Sequence, residues 1–172
     1  ITLVRGTGTL KNARTVEVKG SAGTETLEAG PAVILATGSK PRSLPGVSID
    51  EKLVISSNGA VRSESRPASI VVIGAGAVGV EFADVYAAYG AQVTLLEALP
   101  RVLPIEDEDA GALITRLFGR RGITIKTGVK VSAVKPGGPG AIVETDGGRF
   151  EAQQVLMAEG GLWAQHLALV LQ

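Results

Sequence analysis

Residues 71–97 read VVIGAGAVGVEFADVYAAYGAQVTLLE, and this stretch decides the fold of the chain. A β-branched apolar run ends at a glycine-rich turn, Gly74–Gly79, and a helical pattern follows it as far as Gly90. A second apolar run, Gln92–Leu96, then ends at a single acid, Glu97. The order predicts a strand, a glycine turn, a helix and a second, parallel strand, which together begin an α/β domain.

The glycine turn GAGAVG fits the G-x-G-x-x-G pattern of dinucleotide-binding domains. In that pattern Gly74 permits the tight turn, Gly76 lets the backbone approach a pyrophosphate, and Gly79 allows the helix to pack closely on the strand. The N-terminus of the helix presents unpaired N–H groups to the phosphates. Glu97 follows at about the 20-residue offset of a carboxylate that binds a ribose 2′-hydroxyl. The stretch therefore predicts a dinucleotide site.

The acid also predicts which nicotinamide dinucleotide is bound. A carboxylate at Glu97 would repel the 2′-phosphate of NADP, and no arginine follows within three residues, since Arg101 is four positions away. We therefore expect NAD rather than NADP. The alternative is a glycine-rich corner between strand and helix with a solvated glutamate and no ligand.

The helix after the turn carries an apolar stripe and an acid. Val78, Phe82, Val85 and Tyr89 recur at helical spacing, which predicts that they share the packed face. Glu81, in the first turns, has two equal interpretations: an acid favoured by the positive helix N-terminus, or a group that faces a nicotinamide.

The rest of the chain is rich in short strands. Alternating runs, a Pro-rich link at Lys40–Gly46 and one short helix precede the central stretch, and a second acidic-to-basic helix within residues 105–122 follows it. A strong hairpin signal, Asp146-Gly147, marks the C-terminal strands. The other predicted strands are Ile1–Val4, Thr15–Lys19, Glu25–Glu28, a buried-type Ala32–Ala36, Ile123–Lys126, Val129–Lys135, Ala141–Thr145, Arg149–Ala152 and Val155–Ala158, and the short helix is Ser57–Arg62.

Two segments repeat the same order of features. TVEVKGSAGTETLEAGPAVILATG (15–38) and AIVETDGGRFEAQQVLMAEG (141–160) each contain a Val-Glu strand, a glycine turn, a Glu-Ala strand and a buried strand that ends in glycine. We interpret this as the end of one nucleotide domain followed by a whole, similar one. The alternative is that two hairpins resemble each other by composition.

Composition narrows the functional classes. Seventeen basic and seventeen acidic side chains give a net charge of zero, which argues against a nucleic-acid or anionic-membrane surface. The absence of cysteine excludes a disulfide framework, thiolate metal sites and a redox dithiol within these residues. No apolar run approaches a membrane span, and no signal peptide is visible, so we expect a cytoplasmic protein. Without an initiator Met, the chain is expected to be part of a longer one.

These residues resemble the flavoprotein disulfide reductase family, and its dihydrolipoamide dehydrogenase branch in particular. The matching segments are VILATGSKPRSLPG (33–46), residues 71–109, RRGITIKTGVKV (120–131) and VLMAEG (155–160). In that family an NAD domain is inserted into a FAD domain, which would account for the repeat. The implied fold is α/β: a Rossmann-like NAD(P)-binding domain with a β-meander (42–160), after a β-rich remnant of a FAD-binding domain (1–41) and before a diverged tail (161–172).

The resemblance also implies site residues. Glu97 would hold the adenosine ribose, Val131 would line the adenine side and Gly160 the nicotinamide side, and Glu81 would lie near the flavin and nicotinamide rings. Residues expected along FAD are Thr37, Gly38 and Ser39, and those expected along the NAD pyrophosphate are Gly74, Ala75, Gly76, Ala77, Val78, Gly79 and Val80.

The implied reaction is oxidation of a dihydrolipoyl group by NAD through FAD, with a homodimer partner and the lipoyl domains of 2-oxoacid dehydrogenase complexes as partners. The family's redox cysteines would precede residue 1, and its catalytic His-Glu pair would follow residue 172. We therefore expect no catalytic residue or metal site here and no turnover by the isolated chain; His166, the only histidine, is interpreted as solvated. Alternatives are a non-catalytic NAD-binding module or the NAD portion of a mercuric reductase or NADH oxidase.

Overall fold

The computed structural model describes residues 1–159 and the backbone of residues 162–163 and 169–170; the side chains of residues 39–40 lie outside that description. The chain divides into two compact units, Ile1–Lys40 with Gly161–Gln172, and Pro41–Gly160. In the part of the chain so described, no helix is both long and apolar enough to cross a membrane.

Short strands outnumber helices in both units. The strands are β1 (Thr7–Leu10), β2 (Thr15–Gly20), β3 (Gly23–Glu28), β4 (Ile34–Leu35), β5 (Ser39–Lys40), β6 (Val54–Ser56), β7 (Ser69–Ile73), β8 (Gln92–Leu96), β9 (Thr124–Lys126), β10 (Val131–Gly137), β11 (Gly140–Thr145), β12 (Gly148–Ala152), β13 (Gln154–Met157), β14 (Leu162–Trp163) and β15 (Leu169–Val170). The helices are α1 (Ser57–Val61), α2 (Ala77–Ala88) and α3 (Glu108–Arg120).

The first unit is built on an antiparallel meander, β1-β2-β3, and β4 and β5 pair with β15 and β14. The predicted strand Ile1–Val4 is wrong: those residues precede β1 and pair with no described strand, and an alternating pattern forms a strand only when a neighbour accepts its hydrogen bonds. The predicted buried strand Ala32–Ala36 is also wrong, because only Ile34 and Leu35 are in β4 and both are more than half exposed.

The second unit is an α/β domain on a parallel five-stranded sheet of order β6-β13-β7-β8-β9. Its three central strands, β13, β7 and β8, are mostly apolar because both faces of the sheet are covered there. Alternate residues face opposite sides: Ile70 and Val72 join a core with the helices, whereas Val71 and Ile73 join a core with the β10-β11-β12 meander. This architecture confirms the α/β fold class predicted from the sequence.

The packed face of α2 differs from the prediction. The buried stripe consists of Gly79, Ala83 and Tyr86. Of the predicted stripe, Val78, Val85 and Tyr89 are exposed, Tyr89 to 71%, and only Phe82 packs partly against the core. The reason is distance: close to the glycine turn only the small residues Gly79 and Ala83 fit between the helix and the sheet, and the bulky Tyr86 is buried further along the helix. The helical spacing of the larger apolar residues therefore predicted the wrong face of the helix.

The remaining elements keep close to their predicted positions. The hairpin at residues 146–147 is confirmed as a two-residue turn in which Thr145 pairs with Gly148. β10 runs two residues further than expected, through Pro136, because β10 is an edge strand and a proline there leaves no ladder donor missing. The repeat is present only in its hairpins: each copy has a two-residue turn between antiparallel strands, since Gly20 pairs with Gly23 as Thr145 does with Gly148. The buried strand predicted at the end of each copy is present as β13 but not in the first copy, where β4 is exposed.

Candidate functional site

The glycine turn lies at the carboxyl edge of the parallel sheet, where β7 is flanked by β13 and β8. Gly74 has a positive φ of 99°, a conformation that L side chains rarely adopt, and its N–H donates to the carbonyl of Leu96 at 2.8 Å. A β-carbon on Gly74 would come within 2.9 Å of the carbonyl oxygen of Ala158, at the end of β13. The turn is therefore held tightly between the ends of the two neighbouring strands.

The other two motif glycines differ in what surrounds them. A β-carbon on Gly79 would lie 2.9 Å from the carbonyl carbon of Gly74, so this position holds α2 against the turn. A β-carbon on Gly76 would meet nothing within 4 Å, and its φ of −71° is ordinary. Gly76 is the N-cap of α2 and no side chain caps that end. The turn therefore leaves open backbone and a free helix N-terminus, which is the cradle that a pyrophosphate requires.

Glu97 is a buried acid that ties the turn to the end of β8. It is 8% exposed; its Oε2 accepts from the N–H of Ala75 at 2.7 Å, and its Oε1 accepts from the N–H of Leu99 at 2.8 Å. The carbonyl of Ala75 in turn accepts from the N–H of Leu103 at 2.8 Å. Both backbone polar groups of Ala75 are therefore hydrogen-bonded. Each carboxylate oxygen of Glu97 keeps one further lone pair with which it could accept a hydrogen bond from a ligand.

Arg101 fixes the loop that follows Glu97. Its guanidinium donates to the carbonyls of Leu103 at 3.0 Å, Pro104 at 2.8 Å and Glu106 at 2.8 Å. Leu103 has a positive φ of 50°, so this loop is held in a conformation that the arginine bonds support. The guanidinium of Arg101 is engaged by its own loop. No pattern in the sequence indicated that Arg101 would bind its own loop.

The other predicted site residues fall in different places. Val131 begins β10, is half-buried in the core on the meander side, and follows a segment in which the N–H of Val129 donates to the carbonyl of Glu97 at 2.9 Å. Glu81 is exposed on α2. Thr37 and Gly38 belong to the first unit. Gly160 and His166 lie outside the described residues, as do the side chains of Ser39 and Trp163.

Glu159 was not among the predicted site residues; it lies two residues after β13, beside the glycine turn. It is half-buried, and its backbone N–H lies 3.3 Å from the position a Gly74 β-carbon would occupy. Burial raises the pKa of the Glu159 carboxyl, the charge of Glu97 raises it further, and Arg42 opposes both. The sequence feature that could have indicated Glu159 is an acid directly after the predicted apolar strand Val155–Ala158. Among residues 1–159 no cluster of His, Asp and Glu side chains could hold a metal.

A parallel sheet whose central strand enters a G-x-G-x-x-G turn and an uncapped helix defines a dinucleotide-binding α/β domain. The family model for pyridine nucleotide-disulphide oxidoreductases matches residues 1–168, so the chain belongs to that family. The resemblance to flavoprotein disulfide reductases inferred from the sequence is thereby confirmed.

Curated relatives and solved structures agree with this assignment. The chain is 39% identical over 165 residues to the dihydrolipoyl dehydrogenase of Mycobacterium tuberculosis, covering 93% of this chain and 35% of the relative. It is 36% identical over 166 residues to the leghemoglobin reductase of Glycine max, covering 93% and 32%. The chain thus spans about a third of the length of these relatives.

Two solved structures share the fold over most of the chain. LpdA from Mycobacterium tuberculosis has a TM-score of 0.74 and 28% identity, covering 92% of this chain and 36% of that one. The water-forming NADH oxidase from Lactobacillus brevis, bound to NADH, has a TM-score of 0.67 and 25% identity, covering 87% and 35%.

Proposed function

We propose that residues 42–160 bind NAD and form the NAD-binding portion of a FAD-dependent dihydrolipoyl dehydrogenase. The observation that carries the proposal is the glycine turn, with open backbone at Gly76, an uncapped helix N-terminus and a carboxylate at the end of the next strand. The backbone N–H groups at the start of α2 would bind the pyrophosphate, and Glu97 would accept from the adenosine ribose. When bound, NAD supplies the hydride chemistry.

The proposed preference for NAD over NADP rests on two side chains. Glu97 is buried at the strand end, so a 2′-phosphate there would meet a carboxylate that is poorly screened by water. Arg101, the nearest arginine after it, donates to three carbonyls of its own loop and is therefore occupied. A site for NADP would need a free cation at this point.

The proposal is tested by placing a methyl group on the open face of the turn. In Gly76→Ala the new β-carbon meets no atom of the protein, so the free energy of unfolding should change by about 0.5 kcal/mol or less. The same methyl group would stand where the pyrophosphate approaches the backbone. The affinity for NADH, measured by calorimetry, should fall about tenfold or more, a loss of about 1.4 kcal/mol.

A matched control is Gly119→Ala in α3, where a β-carbon also meets nothing within 4 Å. This variant should bind NADH as tightly as the wild type in the same titration. A parallel titration with NADPH should show weaker binding. If Gly76→Ala binds NADH as tightly as Gly119→Ala does, the dinucleotide does not lie on the glycine turn and the proposal is wrong.

The dihydrolipoyl substrate is proposed from the names of the curated relatives, dihydrolipoyl dehydrogenases among them. On this proposal the partners are the lipoyl domains of 2-oxoacid dehydrogenase complexes and a second copy of the whole protein, and residues 1–41 belong to its FAD domain. These 172 residues contain no cysteine, so we expect no dihydrolipoamide turnover from them alone. A second candidate is the NAD portion of an NADH oxidase, which the fold shared with the Lactobacillus brevis enzyme favours.

A further inference from the structure

Two carboxylates flank the glycine turn. β13 and β8 are the neighbours of β7 in the sheet, so Glu159, two residues after β13, and Glu97, directly after β8, lie on either side of Gly74, which follows β7. Glu159 adjoins the turn directly, because its backbone N–H lies 3.3 Å from where a Gly74 β-carbon would be. The glycine turn is therefore bordered by one acid from each neighbouring strand end.

The two acids are not held in the same way. Glu97 accepts from the backbone N–H groups of Ala75 and Leu99, one on each oxygen. Among the hydrogen bonds and ion pairs between described residues, none reaches the carboxylate of Glu159. Glu159 is thus a half-buried acid to which no described residue donates a hydrogen bond, and beside a buried carboxylate such an acid gains from taking up a proton.

The charged groups that act on Glu159 come from two elements packed against it. Glu97 at the end of β8 raises the pKa of the Glu159 carboxyl in addition to the larger effect of burial, and Arg42, in the segment before β6, lowers it. Arg42 is exposed, so water weakens its attraction. The balance favours the neutral form more than in a free glutamate.

We propose that Glu159 couples dinucleotide binding to proton uptake, so that the site binds its ligand best when this carboxyl group is neutral. The inference rests on the proposed function, because it requires a pyrophosphate on the turn. A pyrophosphate brings two further negative charges to a place already bordered by Glu97, and an ionised Glu159 would oppose it. A neutral Glu159 removes that repulsion and offers an O–H donor.

The test is a calorimetric titration of the whole chain with NADH from about pH 5, just above the ordinary range of a glutamate, to about pH 8, in two buffers of different ionisation enthalpy, for the wild type and Glu159→Gln. At the acidic end the wild type should take up a net fraction of a proton on binding, and its affinity should fall by up to about tenfold as the pH rises through the raised pKa of Glu159, since one pKa unit corresponds to about tenfold. Glu159→Gln should bind with little pH dependence and, at the alkaline end, more tightly than the wild type.

Glu151→Gln is the charge-matched control, because Glu151 is an exposed acid on β12. It should behave like the wild type. If wild type and Glu159→Gln share one pH profile, or if Glu159→Gln binds NADH more weakly throughout, the coupling is overturned while the proposed NAD site stands. If neither binds NADH at any pH although both keep their circular dichroism spectrum, the proposed function fails, and the coupling fails with it.

Discussion

Gly79→Ala tests whether close packing of α2 on the glycine turn determines the stability of the second unit. A β-carbon at this position would lie 2.9 Å from the carbonyl carbon of Gly74 and 3.4 Å from the β-carbon of Ala158. The first contact is with backbone at the turn, which is itself fixed by its bond to Leu96, so no flexible side chain can move aside. The helix must therefore shift away from the sheet along its buried stripe.

This displacement of the helix sets the expected loss in the free energy of unfolding. Overpacking a well-packed core costs about 1–3 kcal/mol, and contact with fixed backbone places this variant at the upper end, about 3 kcal/mol. With a urea m-value of roughly 2 kcal/mol/M, the midpoint of unfolding should fall by roughly 1.5 M. The assay is urea unfolding followed by circular dichroism, with Gly119→Ala as the control for a glycine-to-alanine change in a helix. A midpoint of Gly79→Ala within about 0.3 M of the control would refute the packing argument.

Two further predictions concern side chains outside the proposed site. The Oδ1 of Asp50 accepts hydrogen bonds from the N–H groups of Lys52, Leu53 and Val54, each at 2.9 Å. In chemical unfolding, Asp50→Ala should lower the free energy of unfolding by about 1 kcal/mol, and Asp50→Asn, which keeps the acceptor oxygen, should lower it less. Burial alone would raise the pKa of Asp50, but these donors lower it below the ordinary value. The contribution of Asp50 to the free energy of unfolding is therefore present above the pKa of the unfolded state and is lost as the pH falls through the lower pKa of the folded state. An acid titration in which Asp50→Asn and the wild type lose stability in parallel would contradict this. Tyr86→Phe should raise the free energy of unfolding by about 1 kcal/mol, because among the described residues the buried hydroxyl of Tyr86 has no hydrogen-bond partner, and a lower value would mean that the hydroxyl has one.

The sequence predicts the elements of the second unit well because local rules determine them. β8 was predicted at its observed bounds, and Gly90 and Gly122 end their helices with positive φ values of 82° and 80°, as glycine stops should. The open backbone at Gly76 also agrees with the role that its place in the motif predicts. Each of these features depends on residues close together in the chain, where pattern and propensity are informative.

Features that depend on distant residues were not predictable in the same way. The packed face of α2 depends on how near the helix lies to Gly74, and apolar periodicity carries no information about that distance. Glu159 lies beside the turn only because β13 pairs with β7, a pairing between strands more than eighty residues apart. The exposure of Ile34 likewise depends on what packs over β4, which its apolar pattern does not specify.

The dual role of Glu97 determines which variants can test the ligand. Its carboxylate would bind a ribose with lone pairs left over after the bonds to Ala75 and Leu99, so the same side chain shapes the turn and recognises the nucleotide. Glu97→Ala would leave the buried N–H of Ala75 without an acceptor, at a cost of about 1–3 kcal/mol, and would distort the turn itself. Weaker NADH binding in that variant would therefore follow whether or not Glu97 contacts a ribose. Gly76→Ala separates the two roles, because its β-carbon contacts no part of the protein and changes only the surface on which the pyrophosphate would lie.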